Sequence, residues 1–192
     1  MTLCRELGLT DVVLVGHSVS AIIGALAVAR APELFGRLVM VSPSPRYADD
    51  VGYVGGFSER DIDGLLEALD QNHLGWSAQT APVIMGRPDR PDLQQELTDS
   101  FCRTDPAIAR QFAEVTFRSD NRADLVRVGV PTLVLQSAVD ALAPRSVGEY
   151  VHAHLPDSTY ALLDTVGHCP HLSAPDLTVT AIRAFLGAPV LR

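Results

Sequence analysis

The fold of this chain is decided by the stretch VVLVGHSVSA, residues 12–21. It opens with a short apolar run, passes through one glycine and one serine, and continues into small and apolar residues. An apolar run without polar alternation is typical of a parallel strand that is covered on both faces. The stretch therefore predicts a strand, a sharp turn and then a helix over residues 21–30.

The alternation of strand and helix continues along the chain. Further apolar runs predict strands at residues 36–41, 130–136 and 159–163, and helices at residues 145–154 and 177–186. Strands that alternate with helices form a parallel sheet with right-handed crossovers. The predicted fold class is therefore α/β, built on one parallel sheet.

A long segment between the second and third strands has helical spacing instead. Apolar residues recur at intervals of three or four from Ile62 onwards and again from Ile108 onwards. Asp105-Pro106 is typical of a helix start, with proline at the first helical position. We interpret the segment as a lid of three or four helices. The predicted organisation is a core of residues 1–46 and 129–192 and a helical lid of residues 47–128.

Composition excludes several classes of function. The chain has 15 basic and 23 acidic side chains and a formal net charge of −8, which argues against binding to nucleic acid or to an anionic membrane surface. The three cysteines are widely separated and predict reduced thiols rather than disulfides. The first residues lack the build of a signal peptide, and the most apolar helical stretch is too short to span a membrane. A soluble, cytoplasmic protein is expected.

The turn after the first strand has the pattern of a nucleophilic serine. A serine that projects its Oγ from a sharp strand-to-helix turn needs small neighbours, and Gly16 and Ser20 flank Ser18 at the required spacing. Glycine is commoner at the position of Ser20. The helix that follows would place the Val19 N–H where an oxyanion forms. The alternative is a tight turn that carries an incidental serine.

Two further residues, Asp140 and His168, provide the acid and the base that a nucleophilic serine needs. Asp140 follows the third predicted strand and His168 follows the fourth, directly after Gly167. The carboxyl ends of parallel strands meet at one edge of a sheet, which is where open α/β sheets bind ligands. The chain order of serine, aspartate and histidine is that of the α/β-hydrolase fold. We therefore predict a catalytic triad of Ser18, Asp140 and His168.

Other acidic and histidine residues fit these roles less well. Asp157 and Asp164 lie before or within the last strand, which makes them poor candidates for the acid. His17 is expected to point the other way along the turn, and His171 is expected to pack near the site. A metal site at His168, Cys169 and His171 would need a second ligand cluster, which the sequence lacks. No metal or organic cofactor is predicted.

The sequence also resembles a known family. It is similar to the small hydrolases that include the bacterial stress regulator RsbQ and the plant strigolactone and karrikin receptors, and the similarity covers essentially the whole chain. The motifs that carry it are VGHSVSA at 15–21, RLVMVSPSP at 37–45, GGF at 55–57, TFRSD at 116–120 and GHCPHLS at 167–173.

The resemblance implies the same triad and an apolar pocket beneath a lid of four helices. The pocket positions that it implies are Val19, Phe57, Trp76, Thr80, Phe117 and Leu142. Packing in the core of the lid is an equal alternative for Phe57 and Trp76, because pockets of this kind are lined by the same apolar types. An aromatic residue is usual at the position of Thr80, so the shape of the pocket is expected to differ.

The resemblance further implies roughly 75 residues before the position of Met1, with the first strands of the sheet and an H-G loop that supplies a second oxyanion N–H. Without them, residues 12–15 are expected to form an exposed, apolar edge strand. Three hypotheses follow: a serine hydrolase of a small apolar ester or lactone, a ligand sensor that acts through a phosphatase-type protein partner, or an inactive truncated product.

Overall fold

A computed structural model describes residues 1–187 of the chain. Within them, four parallel strands form one sheet in the order β1-β2-β3-β4. The strands are β1 (Val12–His17), β2 (Phe35–Val41), β3 (Thr132–Val139) and β4 (Ser158–Val166). All four begin or end within a few residues of the predicted positions, and the predicted α/β class is confirmed.

Helices alternate with these strands and also fill the long connection between β2 and β3. They are α1 (Thr2–Glu6), α2 (Val19–Arg30), α3 (Glu59–Gln71), α4 (His73–Met85), α5 (Pro91–Cys102), α6 (Pro106–Arg118), α7 (Arg145–His154), α8 (Pro170–Ser173) and α9 (Pro175–Leu186). Across residues 1–187, no helix is both long enough and apolar enough to cross a bilayer.

Both faces of the sheet centre are covered. One face packs against α2 and α7, where Ile22 and Val151 meet Met40 and Val134. The other face packs against α9 through the residues of β2, β3 and β4 that point to that side. The two faces explain why β3 is apolar over most of its length, since alternate residues enter different apolar clusters.

The strand β1 differs from the sequence prediction. It lies at the edge of the sheet, and Val13 and Val15 are 37% and 55% exposed. The prediction that this strand is covered on both faces is therefore wrong within the described chain, whereas the exposed apolar edge strand that was also expected at residues 12–15 is observed. The physical reason is that the two faces of β1 differ in what covers them. Val12 and Leu14 point to one face and join an apolar cluster. Val13 and Val15 point to the other face, where α9 packs on β3 and β4 and does not extend to β1.

The connection between β2 and β3 contains four helices, α3 to α6. Asp105 caps α6, since its carboxylate accepts hydrogen bonds from the N–H groups of Ala107 and Ile108. The helical spacing that begins at Ile108 is confirmed, but these residues do not form a core. Ile108, Phe112 and Val115 are 62%, 57% and 64% exposed. They form an exposed apolar stripe along α6, and Ile108 and Phe112 also line a cavity next to this helix.

Candidate active site

The turn between β1 and α2 gives Ser18 an unusual backbone conformation. Ser18 has φ 55° and ψ −123°, and its N–H donates to the carbonyl oxygen of Val41 at 2.8 Å. A Cβ at Gly16 would lie 2.5 Å from the carbonyl oxygen of Ser20, so only glycine fits there. Ser20 itself is exposed, and its small side chain is accommodated where glycine is commoner. The motif is thus a steric requirement of the turn.

Ser18, His168 and Asp140 lie within hydrogen-bonding distance of one another. Ser18 Oγ is 2.7 Å from His168 Nε2, and His168 Nδ1 is 2.8 Å from Asp140 Oδ2. His168 is 2% exposed and Asp140 is 9% exposed, so the hydrogen bond between them is shielded from water. Three residues from three separate strand ends therefore form one continuous chain of hydrogen bonds, as the sequence predicted.

The loop after β3 fixes the second oxygen of Asp140. Oδ1 accepts hydrogen bonds from the N–H groups of Leu142 at 2.8 Å and Ala143 at 3.0 Å. The buried Gln136 braces the same loop, because its Nε2 donates to the carbonyl oxygen of Ala143 at 2.8 Å. Sequence analysis did not identify Gln136. A polar residue inside an otherwise apolar strand was the signal that could have identified it.

The loop after β4 holds the imidazole of His168 in place through its backbone. The N–H of Gly167 donates to Val139, and the N–H of His168 donates to Ile84 in α4, each at 2.8 Å. Gly167 has φ +103°, a conformation that L side chains rarely adopt. The loop is therefore anchored both to the sheet and to the helical segment.

His17 lies in the site, and the prediction that it points away is wrong. Its Nε2 lies 2.8 Å from the carbonyl oxygen of His168. A carbonyl can only accept, so His17 Nε2 carries the proton. Its ring also packs against those of His168 and His171, at centroid distances of 5.0 Å and 4.4 Å. Although two strands separate β1 from β4, the loop after β4 reaches the carboxyl end of β1, so the residue before the nucleophile contacts the loop that carries the base.

Tyr47 is a further residue that sequence analysis did not identify. Its Oη lies 3.3 Å from Ser18 Oγ, and the side chain is fully enclosed. Burial raises the pKa of the Tyr47 phenol to about 12. Its position shortly after β2 was the available signal, because β2 lies between β1 and β3 and its following loop passes the site.

A cavity of about 560 Å³ opens above Ser18. Of the predicted pocket residues, Val19, Trp76, Phe117 and Leu142 line it. Val19 is the first residue of α2, so its N–H lacks a partner within the helix.

The other two predicted pocket residues, Phe57 and Thr80, lie outside the cavity wall. The ring of Phe57 packs behind Tyr47 and Phe117, at centroid distances of 6.4 Å and 5.9 Å. Thr80 lies one helical turn from Trp76 on α4, where its short side chain does not reach the wall. Core packing, the alternative for Phe57, describes its position.

No group of three or more histidine, cysteine or acidic residues in the described part of the chain could hold a metal ion. His168, Cys169 and His171 are adjacent in sequence, but Cys169 is buried among apolar side chains. Burial raises the pKa of its thiol to about 12, which disfavours the thiolate that a metal needs.

Acid is expected to destabilise the fold through His17. Burial, followed by the nearby His168, lowers the pKa of His17 from 6.5 to about 4. Between these values the unfolded chain binds the proton more strongly than the folded chain does, so the free energy of unfolding falls as the pH falls. The maximum loss is about 3 kcal/mol. Urea unfolding at several pH values between about 7.5 and 4.5 measures it.

The matched control is His17→Gln, which keeps an amide donor near the His168 carbonyl but does not titrate. Its free energy of unfolding is expected to depend less on pH than that of the wild type. Equal pH dependence in the two proteins would contradict the assignment to His17.

The sequence of the chain is similar to those of known proteins. The "Probable esterase" of Oryza sativa subsp. japonica is 39% identical over 183 residues, which cover 95% of this chain and 68% of the relative. A karrikin insensitive 2 receptor of Petunia hybrida is 37% identical over 183 residues, with the same coverage of 95% and 68%. The present chain thus spans about two thirds of the length of either relative.

A solved structure with a similar fold is that of a hydrolase from Oleispira antarctica. It is 36% identical, has a TM-score of 0.93, and matches over 97% of this chain and 69% of its own. The alpha/beta hydrolase family matches residues 2–181 of the sequence. The match spans the nucleophile turn and both loops that carry Asp140 and His168. The chain therefore belongs to the alpha/beta hydrolase family.

Proposed function

We propose that the chain is a serine hydrolase of small apolar esters or lactones. Ser18 is the nucleophile, His168 moves the protons, and Asp140 orients the imidazole. The observation that supports these roles is the continuous chain of hydrogen bonds from Ser18 Oγ through both ring nitrogens of His168 to Asp140 Oδ2. Such an arrangement activates an alcohol that is otherwise a weak nucleophile.

The reaction follows from the positions of the protons. Ser18 Oγ attacks the carbonyl carbon while its proton passes to His168 Nε2, and the carbonyl electrons move onto oxygen. The N–H of Val19, at the start of α2, is suited to donate to that oxyanion. When the intermediate collapses, the leaving alkoxide takes the proton from His168. Water then attacks the acyl carbon while one of its protons passes to His168 Nε2. When this second intermediate collapses, Ser18 Oγ leaves with that proton, and the acid is released.

The cavity supports a small and largely apolar substrate. Its volume is in the range that small ligands occupy. Trp76, Phe117 and Leu142 contribute apolar wall, and Phe57 acts on the pocket from behind through Phe117. Helices α3 to α6 would then form the lid over this pocket, with residues 1–46 and 129–192 as the core. The chemistry requires no metal or organic cofactor.

The site of covalent labelling tests this function. Incubation with a fluorophosphonate is expected to add one phosphonyl group to Ser18, and peptide mass spectrometry locates the adduct. The protein should also hydrolyse p-nitrophenyl acetate, with Ser18→Ala as the control. The chain offers an internal comparison in Ser158, whose Oγ lies 2.7 Å from His152 Nδ1 but donates to the His152 carbonyl. A label at Ser158, or none at Ser18, would contradict the proposal.

A ligand sensor with a phosphatase-type protein partner is the second candidate function. The exposed apolar stripe of Ile108, Phe112 and Val115 on α6 favours it, because exposed apolar side chains often mark protein contacts. Ile108 and Phe112 also line the cavity, so a ligand there would adjoin this surface. The Petunia hybrida relative is named a receptor, which supports the same function. Ser18→Ala separates the two: it abolishes turnover by a hydrolase, whereas ligand-dependent binding to a partner would survive it. Either function is compatible with a cytoplasmic location.

A further inference from the structure

We propose that the hydroxyl of Tyr47 is an additional catalytic group, which donates a hydrogen bond to Ser18 Oγ and stabilises the negative charge that this atom develops. The charge develops when Oγ attacks the substrate and again when Oγ leaves the acyl-enzyme. The inference rests on the proposed function, since it needs Ser18 to be the nucleophile.

The first support is the fixed position of the phenol. Tyr47 is 2% exposed, and its Oη lies 3.3 Å from Ser18 Oγ at the base of the cavity. The ring of Phe117 meets the ring of Tyr47 edge-on at a centroid distance of 5.1 Å, and Phe57 lies on another side at 6.4 Å. The Tyr47 carbonyl also accepts a hydrogen bond from the N–H of Phe57 at 3.2 Å. The hydroxyl is thus held at the nucleophile by packing and backbone contacts.

The second support is the direction of the hydrogen bonds. A carboxylate can only accept, so His168 Nδ1 carries a proton and donates it to Asp140. In the neutral imidazole Nε2 is then an acceptor, and Ser18 Oγ donates its proton there. The lone pairs of Oγ are left to accept, and the Tyr47 hydroxyl is the neighbouring donor. Every proton in the chain therefore has a defined partner.

The third support is that Tyr47 keeps its proton. Burial raises the pKa of the phenol to about 12, so it remains a donor at neutral pH and is not a base for Ser18. The charge of Asp140 acts in the same direction. A hydrogen bond to a charged oxygen is stronger than one to a neutral oxygen. The contribution of Tyr47 therefore grows between the resting state and the transition state, which is the condition for catalysis.

The proton and electron balance of the reaction is unchanged by this role. In acylation the Oγ–H bond breaks, its proton goes to His168 Nε2, and Oγ bonds to the carbonyl carbon. The bond to the leaving alkoxide then breaks, and the alkoxide takes the proton from His168. In deacylation water bonds to the acyl carbon and gives a proton to His168 Nε2. The bond between Oγ and the acyl carbon then breaks, and Oγ takes that proton. Tyr47 retains its own proton in both steps and only donates a hydrogen bond to Ser18 Oγ. Both steps should therefore slow when the hydroxyl is removed.

The test is Tyr47→Phe, which keeps the ring and its contacts with Phe57 and Phe117. We expect kcat for p-nitrophenyl acetate, and the rates of acylation and deacylation in stopped flow, to fall about tenfold, with KM unchanged. The matched control is Tyr53→Phe, which also removes a buried hydroxyl, one that donates to the Arg46 carbonyl at 2.6 Å. Its kcat should stay within about twofold of the wild type.

A second measurement tests the role of Tyr47 without the Tyr47→Phe variant, in case that variant does not fold. Replacing all four tyrosines by 3-fluorotyrosine makes each phenol a stronger donor, so kcat should rise in the wild type. If Tyr47→Phe folds, the same replacement should have no effect in that variant. An unchanged kcat in the fluorinated wild type would overturn the inference.

The outcomes separate this inference from the proposed function. If Ser18→Ala is inactive but Tyr47→Phe matches the wild type, the role of Tyr47 is wrong and the hydrolase stands. A rise in KM alone would make Tyr47 a substrate-binding group and overturn its role in charge stabilisation. If wild type and Ser18→Ala hydrolyse the ester equally slowly, the proposed function fails, and the inference fails with it.

Discussion

Asp140→Asn is expected to lower kcat for ester hydrolysis by about 10⁴. Oδ1 of Asp140 accepts two backbone N–H groups, so an asparagine would keep its carbonyl oxygen at that position. Its NH₂ group would then face His168 Nδ1, where Asp140 Oδ2 accepts at present. His168 would have to accept there and carry its proton on Nε2. In that tautomer the imidazole cannot take the proton of Ser18.

The kinetics of p-nitrophenyl acetate hydrolysis measure this loss, and Ser18→Ala sets the lower limit of the assay. Asp164→Asn is the matched control, because it makes the same change at an exposed carboxylate on β4. It should leave kcat within about twofold of the wild type. Retention of most activity by Asp140→Asn would show that the loop after β3 does not set the tautomer of His168.

Gly167→Ala is expected to reduce both stability and activity. A Cβ at Gly167 would overlap the backbone carbonyl of Met85, and φ +103° is strained for any L side chain. Strain and overlap together should lower the free energy of unfolding by about 3 kcal/mol. Because His168 is the next residue, its displacement should also lower kcat/KM by about 10². Urea unfolding and ester turnover measure the two effects.

Gly52→Ala is the control for backbone strain without steric overlap. Gly52 has φ +74°, and a Cβ there would meet no atom within 4 Å. It should cost about 1 kcal/mol and leave turnover unchanged. If Gly167→Ala were no more destabilising than Gly52→Ala, the close approach of the His168 loop to α4 would not matter for the site.

The nucleophile turn was predictable because its requirements are local. Gly16 must be small because its neighbours within the same turn lie too close for a side chain. The position of Ser18 between a strand and a helix also follows from residues directly before and after it. Asp140 and His168 could be assigned because the strands that precede them are visible as apolar runs, and parallel strands end at the same edge.

The roles of His17, Tyr47 and Phe57 could not be predicted in the same way. His17 contacts a carbonyl that lies 151 positions away in sequence. Tyr47 meets Ser18 only because β2 lies next to β1. Phe57 was assigned to the pocket from resemblance, but its ring packs against Tyr47 and Phe117, which line the cavity, and Phe57 itself does not. In each case the direction of a side chain depends on elements that are distant in the chain.

The sequence by itself thus determined the α/β class and the chain order of Ser18, Asp140 and His168, since strand patterns and turn sterics act over a few residues. Only the tertiary structure decided that Tyr47 and His17 adjoin the nucleophile and the base. It also decided which face of β1 is exposed, the one that carries Val13 and Val15. Strand order and helix packing set these contacts, and both arise from interactions between segments that no local pattern specifies.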